Sequence, residues 1–235
     1  MSGNGTTRVK VCGIREPAEI DVLASRDVDF VGLWYGVPGG PADLPLAQWR
    51  KLGAAAAATD HLAPVLVTFL KDAEALREAL EGSGVHWIQL HGYQTPGVVR
   101  AVKEISPDIR VLKVLHVRGD DCVEAPLIGS YEKAGVDVFL FDAVAADGRV
   151  GSTGETLDPA VVASLAERIN KPFLLAGGLS DDNRGDYDEL AKHPHFFGID
   201  VDTNARGADG KVSADRVEAI LHAWREPHKE AANHA

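Results

Sequence analysis

Eight short, almost continuously apolar runs recur along the chain, each followed by a more polar stretch. They are Val9 to Ile14, Phe30 to Tyr35, Pro64 to Leu70, His86 to Leu90, Val111 to Val117, Val138 to Phe141, Pro172 to Ala176 and Phe196 to Val201. A strand with one wet face alternates apolar and polar residues. Runs without that alternation are dry on both faces, as parallel strands covered by helices are. Eight strand–helix units in 235 residues leave about 29 residues per unit, and the total is near that of a small (β/α)8 barrel. A doubly wound open sheet is the competing architecture, but its phosphate fingerprint G-x-G-x-x-G is absent after the first run. The residues there are Cys12-Gly13-Ile14-Arg15-Glu16-Pro17. The expectation is a single α/β domain over residues 1–235, a (β/α)8 TIM barrel with flexible tails at about 1–7 and 226–235.

The intervening stretches read as helices. Glu16 to Ser25, Ala73 to Glu81 and Thr95 to Ile105 each set apolar residues among charged ones. Thr95-Pro96 and Asp158-Pro159 are cap and first-turn pairs opening helices at Thr95 to Ile105 and Asp158 to Ile169. Ser213 opens a helix to Trp224 with a stripe of Val217, Ile220, Leu221 and Trp224. Less regular patterns put helices near Ala125–Ala134 and Asn183–Lys192. The Ala54–Ala58 run is a helix former.

Composition removes several classes. A 45% hydrophobic chain can fill a core, which excludes disorder as the dominant state. Two cysteines, Cys12 and Cys122, form no disulfide framework. No run of about 18 apolar residues could span a membrane. The polar start, Met1 to Thr7, lacks the apolar core of a secretion signal, so a cytoplasmic, reducing location is expected. The formal charge of −11 disfavours nucleic acid as partner, since phosphate neutralisation needs clustered Lys and Arg. The nine histidines show no ligand spacing, and no metal or organic cofactor is expected.

In a parallel barrel the chemistry sits at the carboxyl ends of the strands. The first run ends at Cys12, the fourth at Gln89, His91 and Gly92, and the fifth carries Lys113 and ends near His116. The sixth ends at Asp142, the seventh at Gly177-Gly178, the eighth at Asp200 and Asp202. Cys12 reads either as a buried small hydrophobe or as a base facing the mouth. Asp142, after Val138-Phe139-Leu140-Phe141, suits an acid whose pKa rises by desolvation. His91 is a ligand, a base or a hydrogen-bonded strut. Lys113, read as inward, needs an acid partner such as Asp142 or Asp200. Gly177-Gly178 would offer backbone N–H groups to an anion.

At these residues the chain resembles the phosphoribosylanthranilate isomerase family of (β/α)8 enzymes. The matching pieces are Lys10-Val11-Cys12-Gly13-Ile14, Ile88-Gln89-Leu90-His91-Gly92 and Leu140-Phe141-Asp142. They continue with Gly151-Ser152-Thr153-Gly154 before Leu157-Asp158, then Ala176-Gly177-Gly178-Leu179 with Asn183, and Gly198-Ile199-Asp200-Val201. The resemblance implies an Amadori rearrangement of an aminoaldose to an aminoketose, without metal or organic cofactor. Cys12 matches the base that removes the proton from sugar C2, and Asp142 the acid that protonates the ring oxygen. Lys10, Gln89, His91, Lys113, Thr153, Gly154, Gly177, Gly178, Asp200, Asp202 and Thr203 are the implied substrate-binding positions. The partner is a small molecule, and the chain a monomer or homodimer.

Two pieces depart from the family. Its arginine after the second strand, which holds the anthranilate carboxylate, has no counterpart in Gly36-Val37-Pro38-Gly39-Gly40-Pro41-Ala42-Asp43. Its phosphate turn, Asp-Val-Ser-Ser-Gly, here reads Asp200-Val201-Asp202-Thr203-Asn204. A carboxylate about 4 Å from a phosphate costs about 4 kcal/mol at an effective dielectric of 20. Hence the expectation of an isomerase on an altered substrate lacking the phosphate, the carboxylate or both, unless Arg206, Arg15 or Arg149 restores the charge. Two other readings stay open: a lyase, cyclase or aldolase-like step using Lys113 or His116, and a non-catalytic binding protein. Residues 118–130 are either a lid or a loop of solvated acids, Asp120, Asp121 and Glu124. Cys122 reads as an incidental loop cysteine, and exposed Trp34, Trp87 or Trp224 would mark protein contacts.

Overall fold

The computed structural model describes residues 6–144 and 156–226. Its strands are β1 (Arg8–Val11), β2 (Phe30–Trp34), β3 (Ala63–Thr68), β4 (Trp87–Leu90), β5 (Arg110–Arg118), β6 (Asp121–Cys122), β7 (Val138–Ala143), β8 (Phe173–Leu175) and β9 (Phe196–Val201). The helices are α1 (Pro17–Ala24), α2 (Leu46–Ala57), α3 (Ala73–Leu80), α4 (Pro96–Ile105), α5 (Ile128–Ala134), α6 (Pro159–Ala166), α7 (Asp188–Ala191) and α8 (Ala214–Arg225). Strands β1 to β5 and β7 to β9 pair in parallel around a ring, and β9 returns to β1 with Arg8 opposite Gly198. The architecture is a closed eight-stranded (β/α)8 barrel. The short β6 folds back antiparallel on the end of β5.

The eight expected runs are the eight ring strands, with ends moved by a few residues. The first strand stops at Val11, because Gly13 adopts φ +75° and turns the chain out of the ladder. Helix α2 supplies the unit after β2 that composition marked only by Ala54–Ala58. The stretch expected as a helix over Asn183–Lys192 divides into a 3-10 turn, Arg184–Tyr187, and the one-turn α7. Residues 1–5 and 227–235, most of the two expected tails, lie outside the described residues. So do Thr153, Gly154, the Gly151-Ser152 step before them, and Arg149.

The parity of each strand sorts its side chains into two cores. Val9, Val11, Leu33, Leu66, Ile88, Val111, Phe139, Phe141 and Ile199 face the helices. Phe30, Trp34, Val65, Val67, Leu112, Val114, Val138, Leu140 and Leu174 fill the lumen, capped by Trp87 and Phe197. Trp34 and Trp224 are buried, and Trp87 packs in the lumen with its ring 5.0 Å from that of Phe30, so none of the three is an exposed contact residue. Capping is local: Asp72 and Asp158 each accept backbone N–H bonds at the starts of α3 and α6. At the β1–β9 seam a Cβ on Gly198 would lie 2.0 Å from the Arg8 carbonyl oxygen, so only glycine lets those strands close. Among the described residues no helix is long and apolar enough to cross a membrane.

Candidate active site

The same parity puts the polar residues in order. Lys10 lies between helix-facing Val9 and Val11, Gln89 between Ile88 and Leu90, and Asp200 between Ile199 and Val201. These three therefore point into the lumen. Cys12, His91, His116 and Asp142 follow on the same side at the carboxyl ends of β1, β4, β5 and β7. The floor is an ion pair: Lys10 Nζ donates to Asp200 Oδ2 at 2.8 Å, with both residues buried. Burial resists the charge on Lys10, but the Asp200 carboxylate holds its pKa above the usual value. Burial leads in Asp200 and leaves its carboxyl raised despite Lys10.

Above this pair a cavity opens at the mouth. It is lined by Cys12, Trp34, His91 and Asp142 on one side, and by Gly177, Gly178, Asp200, Asp202, Thr203 and Asn204 on the other. Asp142 is 6% exposed, and burial pushes its carboxyl to about 7, with Asp200 adding repulsion. A carboxylic acid is thus partly protonated near neutrality, which an acid catalyst requires. His91 Nε2 stands 3.4 Å from Asp142 Oδ2, and its Nδ1 accepts from Gln89 Nε2 at 2.8 Å. Burial drives the His91 pKa well below its ordinary value, so the ring is neutral. The hydrogen-bonded strut reading of His91 fits this arrangement.

Cys12 is buried, and Trp34 Nε1 donates to its Sγ at 3.1 Å. Burial pushes the thiol up to about 12, against the pull of the Lys10 ammonium. In the free enzyme the thiol is therefore protonated. Gly32 on β2 makes room for it: a Cβ there would sit 2.6 Å from Cys12 Sγ and 2.9 Å from Lys10 Nζ.

The far wall is a glycine cradle. Gly177 and Gly178 have φ of +81° and +60°, a backbone that glycine adopts without strain. Asn204 Nδ2 donates to the carbonyls of Gly178 and Leu179 at 3.0 Å, tying the loop after β9 to the loop after β8. Asp202 is not an isolated anion. Arg206 Nε donates to its Oδ1 at 2.7 Å, while Arg206 Nη1 reaches Glu19 Oε1 at 3.2 Å and Nη2 the carbonyls of Cys12 and Gly13. Of the three arginines considered for the lost charge, Arg206 meets Asp202 and Arg15 is exposed.

Lys113 departs from expectation. Its neighbours Leu112 and Val114 occupy the lumen, so Lys113 points outward between the sheet and α5. It pairs with neither Asp142 nor Asp200. Its Nζ donates to the carbonyls of Gly92 and Val114 at 2.8 and 2.7 Å, lies 3.6 Å from Glu124 Oε1, and sits over the Tyr131 ring. Burial lowers its ammonium to about 8. It does not line the cavity, which removes the sequence basis for a Schiff base there. Glu124 is likewise no solvated acid: it is 3% exposed and takes His116 Nδ1 at 2.6 Å and His116 N at 3.0 Å. Residues 118–130 form the turn into β6, a 3-10 turn and the start of α5. Cys122 is buried there, its thiol raised to about 11 by burial. Sequence reasoning missed the Glu124–His116 pair, since nothing local distinguishes Glu124 from Asp120 and Asp121.

Comparison with known proteins places this geometry. The family described as N-(5'-phosphoribosyl)anthranilate (PRA) isomerase matches residues 9–222. N-(5'-phosphoribosyl)anthranilate isomerase from Afipia carboxidovorans is 32% identical over 221 residues, covering 92% of this chain and 88% of the relative. Isomerase 2 of the same name from Methanosarcina mazei is 29% identical, covering 92% of each. Among solved structures, the Thermus thermophilus enzyme superposes with a TM-score of 0.74 at 22% identity, covering 92% of this chain and 98% of that one. The TrpF structure from Jonesia denitrificans gives 0.70 at 27%, covering 93% and 97%. With its barrel closed and Cys12 and Asp142 facing one cavity, the chain belongs to the N-(5'-phosphoribosyl)anthranilate isomerase family and is an isomerase of the intramolecular-oxidoreductase kind.

Proposed function

We propose that the protein converts an N-aryl phosphoribosylamine, phosphoribosylanthranilate first among them, to the aminoketose by an Amadori rearrangement, as one step of tryptophan biosynthesis. One observation carries this reading: a carboxyl raised to about 7 and a thiol raised to about 12 line the same cavity. Asp142, protonated, donates to the ring oxygen as the C1–O bond breaks, and the nitrogen lone pair forms the C1=N iminium. Cys12 then removes the proton from C2, whose electron pair closes the C1–C2 enamine. Reprotonation at C1 and loss of the C2 hydroxyl proton complete the ketose.

The order explains how so weakly acidic a thiol serves as base. In the free enzyme few thiolates exist. A cationic iminium about 4 Å from Sγ favours thiolate by about 4 kcal/mol at an effective dielectric of 20, or about 3 pKa units. Trp34 Nε1–H and Lys10 act in the same direction. Asp200 lies on the lumen floor, where it accepts sugar hydroxyls. Gly177, Gly178 and Thr203 serve the phosphate through the loops after β8 and β9, on the first turns of that wall.

The altered-substrate expectation divides at the two ends. At the phosphate end, Arg206 pairs with Asp202, so the repulsion expected of a free carboxylate is offset. At the other end the loop from Gly36 to Asp43 still offers no cation, and Asp43 Oδ1 accepts from Val37 N within it. A change in recognition is therefore expected of the aryl end alone. Turnover of phosphoribosylanthranilate, followed as loss of its fluorescence, tests the reaction. Turnover that Cys12→Ala and Asp142→Asn both abolish supports it, and absence of turnover by folded protein refutes it. The partner is then a small molecule and the compartment the cytoplasm, in one copy or as a homodimer.

A further inference from the structure

Beside the cavity, packed against the lining residue His91, lies one more buried titratable side chain that this mechanism leaves unused. His116, near the end of β5, lies directly beside Asp142, its register partner on β7. The residue is 1% exposed. Its Nδ1 is fixed by Glu124 Oε1 at 2.6 Å, and Glu124 Oε2 also accepts the His116 backbone N–H. Its Nε2 is buried and, like His91 Nε2 and Asp200 Oδ1, has no hydrogen-bond partner among the described residues. A buried polar atom left unpaired is costly, so an arrangement that fixes one ring nitrogen and leaves the other open points to a partner that arrives.

Where that partner would lie follows from the ring order. The glycine cradle follows β8 and β9, and the strands opposite in the closed ring are β3 and β4, with β5 next. A substrate held by its phosphate at the cradle extends its other end toward them. That side is aromatic: Phe69 stacks on His91 at 5.7 Å, the His116 ring meets the His91 ring edgewise at 5.9 Å, and Tyr93 leans over His116 at 4.6 Å. Tyr93 is 47% exposed and Phe69 half-buried, so this wall reaches the solvent. The charge also fits. Lys113, 3.6 Å from Glu124, offsets its carboxylate, so an anion beside His116 does not meet an unopposed negative charge.

Resting on the isomerase reading above, we infer that His116, held by Glu124, is a specificity-determining residue: its Nε2 hydrogen-bonds the carboxylate on the aryl group of the substrate. It takes the part that no residue of the Gly36–Asp43 loop can play. With Nδ1 bound to Glu124, the ring turns neither away nor over, and a hydrogen on Nε2 makes that nitrogen the donor to the carboxylate.

The test compares two ligand pairs that differ only in the ortho carboxyl. The first pair is the N-phosphoribosyl derivatives of anthranilate and aniline, read as kcat and KM. The second is the corresponding unreactive reduced aminoribitol phosphates, read as dissociation constants by calorimetry. In His116→Phe the preference for the carboxylated member should fall by about 10- to 100-fold, in KM and Kd rather than kcat. His116→Asn should restore part of it, and Glu124→Gln should weaken it. A merely structural His116 would change both members of a pair equally, and that result overturns the inference. So does an unchanged preference in His116→Phe protein that melts as the wild type does, or a wild type that binds the two members equally. The reduced ligands keep the two claims separate. A wild type that binds them with the expected preference but turns over neither substrate defeats the isomerase reading and leaves this one standing.

Discussion

Replacing Asp142 by Asn should make the barrel relatively more stable as pH rises. Asparagine keeps the size and does not titrate, so the difference between the two proteins isolates one carboxyl. That carboxyl is raised in the folded state from 3.8 to about 7, chiefly by burial. A raised carboxyl binds its proton more tightly folded than unfolded. Its contribution is therefore fully present below pH 3.8 and is lost as pH rises through 7. Between pH 5 and pH 9 the linkage relation gives a loss of about 2.5 kcal/mol for wild type and none for the variant. In a chain of this size that is a relative shift of about 5–10 °C in Tm. Urea unfolding followed by tryptophan fluorescence at pH 5, 7 and 9 reads it directly, with the curves for both proteins measured side by side. A difference that stays flat within about 0.5 kcal/mol across this range would refute the burial argument, and with it the claim that Asp142 is an acid tuned by desolvation.

The same carboxyl should govern activity: kcat/KM of wild type is expected to fall above pH 7 as Asp142 ionises in the free enzyme, and a profile flat to pH 9 would exclude it as the acid. Cys12→Ala should lower kcat by about 10²- to 10⁴-fold, the usual worth of a positioned base, while circular dichroism stays unchanged. Gly32→Ala would drive a methyl group to 2.6 Å from Cys12 Sγ, and a steady-state assay should show kcat falling at least tenfold in protein that still folds. Arg206→Met would leave the Asp202 carboxylate without its guanidinium, and KM for a phosphorylated substrate should rise at least tenfold at low salt, less at high salt.

Much of this was legible from the chain because both faces of every barrel strand are covered. Continuous apolar runs gave eight strands and their order, and residues in or just past the ends of those runs gave Cys12, His91, Asp142 and Asp200. The same continuity hid the parity. In a strand without alternation, nothing local says whether Lys113 points to the lumen or to the helices, and one residue of register decides it. Here Leu112 and Val114 take the lumen, and Lys113 is left to Glu124. Glu124 was hidden for a different reason. It is one acid among several in a polar loop, and its burial depends on the fold-back of β6 and on His116, eight residues earlier in the chain. The pairing of Asp202 with Arg206 was visible as a spacing of four residues, but its significance came from the loop that brings Arg206 against the Cys12 and Gly13 carbonyls.

The clasp at the opposite end of the barrel has its own consequence. Arg225, at the end of α8, donates to the carbonyls of Thr7 and Asp27 and to Asp29 Oδ2, while Asp29 also takes Arg8 and the Val9 N–H. The first strand and the last helix are thereby held together on the face away from the cavity. Joining them there and opening the chain in another loop of that same face would yield a circular permutant with the same ring of strands. Its mouth would be undisturbed, because the order in which the eight units are synthesised is not what holds the cavity together.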